Sequence, residues 1–307
     1  MSRAGKQILL AVLLGVLLGS LGWLLLLRRG GSASPAPALS PVPSSAPVIL
    51  STPQPTPEPP TPQPVTSHTA EVRALFQSLL RSQPGRWDLY FAPLPEGEAV
   101  ALSSDETPMV SASLIKLFVM GAVYERLEDG TLDRETADPL LRDSITVSDN
   151  FSANALIRLL GDGDAEAGME AVNSWCARQG YNSTRLLRLM LQDNGLQNYT
   201  GAADCAALLS AICRGECVSP AASQEMLGLL LMQKVNDRLP RDLPPGTPVA
   251  HKTGDLIGLC WADVGVVFSP GGDYILCVIS DGAASEVDAK TAAADLSRRI
   301  YELLNPA

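Results

Sequence analysis

Two stretches of the chain are apolar without helical or strand periodicity. Residues 8–27, ILLAVLLGVLLGSLGWLLLL, run for twenty positions without a charge. At 1.5 Å rise per residue they span about 30 Å, the hydrocarbon thickness of a bilayer. Arg28 and Arg29 follow directly, so the run predicts an uncleaved single-pass anchor. Cleavage near Ser32-Ala33-Ser34 is the alternative. The second stretch is Leu114 to Tyr124, apolar apart from Lys116 and Gly121. A helix apolar all round is a buried one, and Gly130 supplies a stop signal.

Periodicity returns elsewhere. Val72, Leu75, Phe76, Leu79 and Leu80 mark an amphipathic helix over 71–81. Trp87–Phe91 and Ala99–Leu102 read as strands joined around Pro-Glu-Gly-Glu, a hairpin. Helical patterns follow at 153–160, 165–179, 202–213 and 221–232. The stretch 248–280 then turns to strands, with a second hairpin through Ser-Pro-Gly-Gly, and 284–304 is a last helix. Helix, two strands, a long helical insert, strands and a helix predict an α/β (α+β) domain. Its sheet carries the N- and C-terminal helices, and an all-helical subdomain is inserted between strands.

Composition divides the chain further. Twelve prolines stand between Pro35 and Pro64, too many for a packed core, and extended they reach on the order of 100 Å. The expected organisation is a cytoplasmic tail (1–7), an anchor (8–27), a Pro-rich linker (28–68) and a globular domain (69–307), placed outside the membrane. A net charge of -10 argues against a nucleic-acid partner, which favours a basic face. Six cysteines, Cys176, Cys205, Cys213, Cys217, Cys260 and Cys277, permit up to three disulfides. A domain of this size does not need them, and mostly unpaired core thiols are expected. With two histidines in the chain, neither a metal site nor another cofactor is expected.

The candidate chemistry lies at the start of the buried helix. Ser113 and Lys116 are three apart and share a helix face. A serine hydroxyl needs an adjacent base, and a buried lysine becomes one when desolvation disfavours its ammonium form. The helix N-terminus offers free N–H groups to a developing oxyanion. Taken alone, the stretch reads more simply as a serine N-cap and a snorkelling lysine. Counting changes the balance. His68 falls in the linker, and His251 stands beside Lys252 on a predicted strand, where neighbours face opposite ways. A serine–histidine triad is thereby nearly excluded.

Two further motifs follow Ser113-Leu-Ile-Lys116 in order: Ser148-Asp149-Asn150 before a helix, and Lys252-Thr253-Gly254 on a strand. S-x-x-K, S-D-N and K-T-G in this order resemble the class A β-lactamases and penicillin-binding proteins. Val235–Pro240 and Val249–Gly254 also resemble the approach to the family's K-T-G strand. The resemblance covers about residues 70–304 and implies a β-lactamase/transpeptidase-like fold with an antiparallel sheet. It implies that Ser113 attacks the carbonyl of a β-lactam or a D-alanyl peptide, and that Lys116 takes or relays its proton. Ser148 would pass a proton to the departing nitrogen, supported by Lys252. Asn150 would bind the substrate's side-chain amide, and Thr253 its carboxylate. Gly254 is the last residue of the K-T-G motif, and backbone N–H groups of Ser113 and Asp255 would form the oxyanion hole. Asp149 is expected to be structural.

The departures from the family matter as much. Ser148 comes only 35 positions after Ser113, closer than class A enzymes usually have it, which predicts a trimmed helical subdomain and an open cleft. Thr184–Arg188 resembles the run into the loop whose glutamate positions the deacylating water. Counting on, Met190 falls on that glutamate and Asn194 on the loop asparagine. Gln192 is no base, and Asp193 is the available carboxylate. The expectation is a β-lactamase-like serine hydrolase with slow deacylation. The alternatives are a penicillin-binding D,D-peptidase and a non-hydrolysing sensor of β-lactams or wall fragments.

Overall fold

The computed structural model describes residues 68–306. The tail, the anchor and all of the linker but His68 lie outside the described residues. Among those described, no helix is long and apolar enough to cross a membrane.

Helix α1 (Thr69–Ser82) leads into strands β1 (Arg86–Pro93), β2 (Val100–Ser103) and the short β3 (Met109–Val110). A 3-10 turn, Ala112–Leu114, opens helix α2 (Ile115–Glu128). The helical insert continues with α3 (Arg134–Thr146), α4 (Asn150–Leu160), α5 (Ala165–Gln179), the short strand β4 (Tyr199–Thr200), α6 (Ala202–Cys213) and α7 (Pro220–Leu231). Strands β5 (Val249–Leu256), β6 (Cys260–Val267) and β7 (Tyr274–Asp281) precede the last helix, α8 (Glu286–Leu304).

The five-stranded sheet has the order β2-β1-β7-β6-β5 and is antiparallel throughout. Alternation decides its faces. Along β1 the buried positions are every second one, Trp87, Leu89 and Phe91 among them. They join Val72 and Phe76 of α1 and Leu296 and Ile300 of α8 in one core. The other face packs on the helical insert in a second core centred on α2. Strands β6 and β7, covered on both faces, are buried almost without interruption, which is why their sequence runs apolar rather than alternating.

Helix α2 sits inside the second core with every residue from Ile115 to Tyr124 buried. Gly121 lets it do so, since a Cβ there would lie 2.2 Å from the Trp175 ring. Helices α5 and α6 match the sequence expectation at both ends. Helix α3 is an addition. Pro139 inside it reads in sequence as a breaker, yet Asp133 caps the helix by accepting from Thr136 N at 3.0 Å. A second addition is the two-stranded β3–β4 sheet, which ties the segment before Ser113 to the end of the 184–198 loop. All six cysteines are free thiols, and all but Cys213 are buried.

Candidate active site

The site forms where three pieces of chain meet: the 3-10 turn ahead of α2, the turn ahead of α4, and strand β5 at the sheet edge. The first is fixed by Ser111, whose N–H donates to Asn198 O at 2.8 Å. The next residue, Ala112, takes a left-handed φ of +44°, which turns the chain sharply and presents Ser113 to a cleft. Gly254 of β5 passes so close that a Cβ would lie 3.1 Å from both Ser111 O and Leu114 Cγ. A larger residue there would press the strand against the turn bearing Ser113.

One helical turn further on, Lys116 is fully buried. Its Nζ donates to Ser148 O at 2.5 Å, to Asn150 Oδ1 at 2.9 Å and to Ser148 Oγ at 3.2 Å. Burial lowers its pKa from 10.5 to about 8. Ser148 is itself held at a φ of +59°. Asp149 accepts from Ser152 N at 2.6 Å as the N-cap of α4, and this bond holds its carboxyl below the usual range. Asp149 thus orients the turn from outside the cleft.

Lys252 reaches Ser148 from the opposite side. Its Nζ donates to Ser148 Oγ at 2.9 Å and to Thr253 O at 2.7 Å. Burial, with Lys116 nearby, pushes its pKa well below the ordinary value. Two buried lysines therefore converge on one partly exposed hydroxyl. Like charges so placed disfavour double protonation, and the pair titrates jointly. The arrangement holds a neutral amine and a shared hydroxyl ready for proton transfer. Among the described residues, none hydrogen-bonds the Ser113 hydroxyl.

The cleft is lined by Ser113, Asn150, Asp255, Met190, Gln192 and Asp193, with Arg188, Leu191, Leu196 and Asn198 around them. Of the residues expected from the sequence, Ser113, Asn150 and Asp255 line the cleft, Lys116 and Lys252 meet at Ser148, Thr253 is buried in β5, and Asn194 stands apart. That residue is exposed and accepts from Leu196 N at 3.1 Å, outside the cleft lining. The loop is too short to carry the spacing past Met190, and Asn198 takes the structural work. Its Oδ1 accepts from Leu187 N and Arg188 N, and its Nδ2 donates to Arg188 O.

Four functional positions were not singled out in the sequence. Asn154, on the same face of α4 as Asn150, grips Met190 by both backbone groups: Oδ1 accepts from Met190 N at 2.8 Å, and Nδ2 donates to Met190 O at 3.0 Å. The i, i+4 spacing from Asn150 was its only signal. Arg238 is buried and donates to the Asp255 carboxylate. Asp263 and Asn236 hold the ring nitrogens of His251, each at 2.9 Å. This interaction turns His251 away from Ser148, as its neighbour relation to Lys252 requires. Asp263 also accepts from Leu239 N, fixing the segment that delivers Arg238. Backbone strain marks the site as well. Of the five described non-glycine residues with positive φ, Ala112 and Leu191 line the cleft and Ser148 is where the two lysines meet.

Residues 70–139 and 136–304 match a family model described as the Beta-lactamase enzyme family. The chain belongs to that family. Solved structures with this fold include PBP-A, at 24% identity over 80% of this chain and 100% of that one, with a TM-score of 0.69. A PBP-A variant described as an acyl-enzyme complex with penicillin G gives 23% identity, the same coverage and a TM-score of 0.69. A β-lactamase from Sphaerobacter thermophilus gives 22% identity over 78% of this chain and 99% of that one, with a TM-score of 0.67. No curated protein sequence matches. At these identities the neighbours carry the fold. The family match carries the general chemistry, that of a β-lactamase-type serine hydrolase.

Proposed function

We propose that this β-lactamase-family protein is a serine acyltransferase-type hydrolase that acylates rapidly and deacylates slowly. Ser113 Oγ attacks the carbonyl of a β-lactam, the C–O bond forms, and the ring C–N bond breaks. The serine proton passes through the Lys116–Ser148–Lys252 group to the departing nitrogen. Asn150 binds the side-chain amide, Thr253 the carboxylate, and the N–H groups of Ser113 and Asp255 the oxyanion. The observation that supports this reading is the convergence of Lys116 and Lys252 on Ser148 Oγ beside the cleft serine.

Slow release rests on Met190. Asn154 clamps its backbone at the cleft wall, and a thioether cannot take a proton from water. Loss of a positioned base costs about 10²–10⁴-fold. The same deficit suits a D,D-peptidase that hands its acyl group to an amine, and a D-alanyl peptide is the alternative substrate. On this reading the domain works outside the membrane, tied to it by residues 8–27 through the Pro-rich linker.

Intact mass of the full-length protein, followed over time after mixing with benzylpenicillin, tests the proposal. A penicilloyl adduct that outlasts the drug is expected, and Ser113→Ala should show none. Met190→Glu should shorten the adduct's lifetime at least a hundredfold. An unmodified protein, or an adduct that survives Ser113→Ala, refutes the nucleophile. A lifetime unchanged by Met190→Glu refutes the account of deacylation.

A further inference from the structure

The large apolar side chains that this domain leaves in solvent gather at one place. Leu191 (67% exposed) and Leu196 (48%) line the cleft with Ser113. Phe151 (75%) follows Asn150, and Ile257 (91%) follows Leu256, both of the cleft lining. Leu187 and Val147, also exposed, precede Arg188 and Ser148. Beyond this region the described residues expose only Met232 and Val287 in the same way. Apolar side chains scattered singly over a surface need no explanation, whereas a group of them around a cleft marks a binding surface.

A pinned loop displays the two leucines. Asn154 holds both backbone groups of Met190, and the next residue, Leu191, takes a left-handed φ of +65°, which leucine rarely adopts. Gly195 is left-handed at +77°, and the Leu196 N–H donates to Asn194 Oδ1. Arg188 spans the loop from within, donating to Gln192 O at 3.1 Å and to Gln197 Oε1 at 2.9 Å. Asn154 lies one turn of α4 beyond Asn150 on the same face. The wall bearing Leu191 therefore begins one helical turn from the group that holds the substrate's side-chain amide. We propose that Leu191 and Leu196 bind the part of the acyl side chain beyond that amide, and that the site selects acyl donors carrying an extended, uncharged alkyl group there. The inference rests on the acylation reading above for the position of the amide. A methylene fully buried is worth about fourfold in binding, and one covered on a single side about twofold. A hexanoyl chain, four methylenes longer than acetyl, should therefore gain about fifteenfold.

The test uses 6-aminopenicillanic acid N-acylated with acetyl, butanoyl and hexanoyl groups, on the full chain. Second-order acylation rates are read by intact mass, and binding is read by calorimetry in a Ser113→Ala background. Parent and variants share one buffer, so any partition of a ligand into detergent cancels between them. The parent should favour hexanoyl over acetyl by about fifteenfold. The double variant Leu191→Asn, Leu196→Asn should bring that ratio to about threefold or less; asparagine tolerates the left-handed backbone at 191. Met232→Asn and Val287→Asn change exposed apolar positions outside the cleft lining and should leave the ratio as in the parent. A parent ratio near one overturns the proposal, as does a ratio unchanged in the double variant or lowered equally in the two controls. Self-association of the parent that the double variant abolishes, seen by sedimentation, also overturns it, because a second copy then covers the leucines. Neither acylation nor binding by any member of the series overturns it too. A chain-length preference in binding that the double variant loses, while no form is acylated, upholds the wall and refutes the acylation reading.

Discussion

Replacing Lys116 with methionine separates what the lysine does for chemistry from what it does to the fold. The side chain is fully buried, and burial lowers its pKa from 10.5 to about 8. At about 1.4 kcal/mol per tenfold in the equilibrium, this gap is worth about 3 kcal/mol. Between pH 8 and 10.5 the unfolded lysine carries a proton that the folded one does not. The unfolded state therefore binds more protons, and stability rises with pH across that window. Below pH 8 both states are protonated and the full penalty is present; above 10.5 it is gone. Methionine has similar volume and no such dependence. Its cost is the lost donor to Ser148 O, Ser148 Oγ and Asn150 Oδ1, roughly 1–3 kcal/mol and nearly independent of pH. The Lys252 side chain, relieved of a like charge, shifts the balance further toward the variant at low pH. Urea unfolding of parent and Lys116→Met at pH 7 and pH 10.5 measures this. The parent should gain about 3 kcal/mol on the variant between the two pH values, while the variant forms no acyl adduct at either. Parallel stability curves would refute the claim that Lys116 is held against its charge.

Three further expectations follow from the geometry. The acylation rate should climb tenfold per pH unit up to about 8 and level off above it, because the base must be neutral and Lys116 gives up its proton there; a flat profile from pH 6 to 9 would remove Lys116 from that role. Gly254→Ala should slow acylation at least tenfold with only modest loss of stability, since the new Cβ presses on Ser111 O and Leu114, and stopped-flow labelling with a reporter penicillin reads it. Asn154→Ala frees both backbone groups of Met190 and should cost about 1–3 kcal/mol, with earlier protease cleavage in the 187–197 loop than in the parent.

The elements that bear Ser113, Ser148 and Lys252 were legible in the sequence because each is local: a buried run, a cap before a helix, a strand. Helices α5 and α6 were legible for the same reason, with Asp164 accepting from Glu166 N and Ala167 N ahead of α5 and Gly180 left-handed behind it. Helix α3 was obscured by Pro139, whose cost is met by packing of Ala137, Leu141 and Ile145 into the core, a tertiary contribution that no local pattern reveals. The 189–198 loop failed for a different reason. After Met190 its shortening breaks the count, and the residue that organises it, Asn198, is chosen by hydrogen bonds across the loop to Leu187 and Arg188 rather than by spacing. Arg238 and Asp255 are 17 positions apart, and nothing in the text between them signals their pairing.

The unpaired thiols carry a consequence for handling and maturation. Burial raises the pKa of Cys176, Cys213 and Cys217 to about 12, and Cys205, Cys260 and Cys277 are shifted upward as well. Protonated, and all but Cys213 buried, they are poor nucleophiles toward oxidants and mixed disulfides. No disulfide joins the described residues, so the domain's melting temperature should be the same in dithiothreitol as in a glutathione redox buffer.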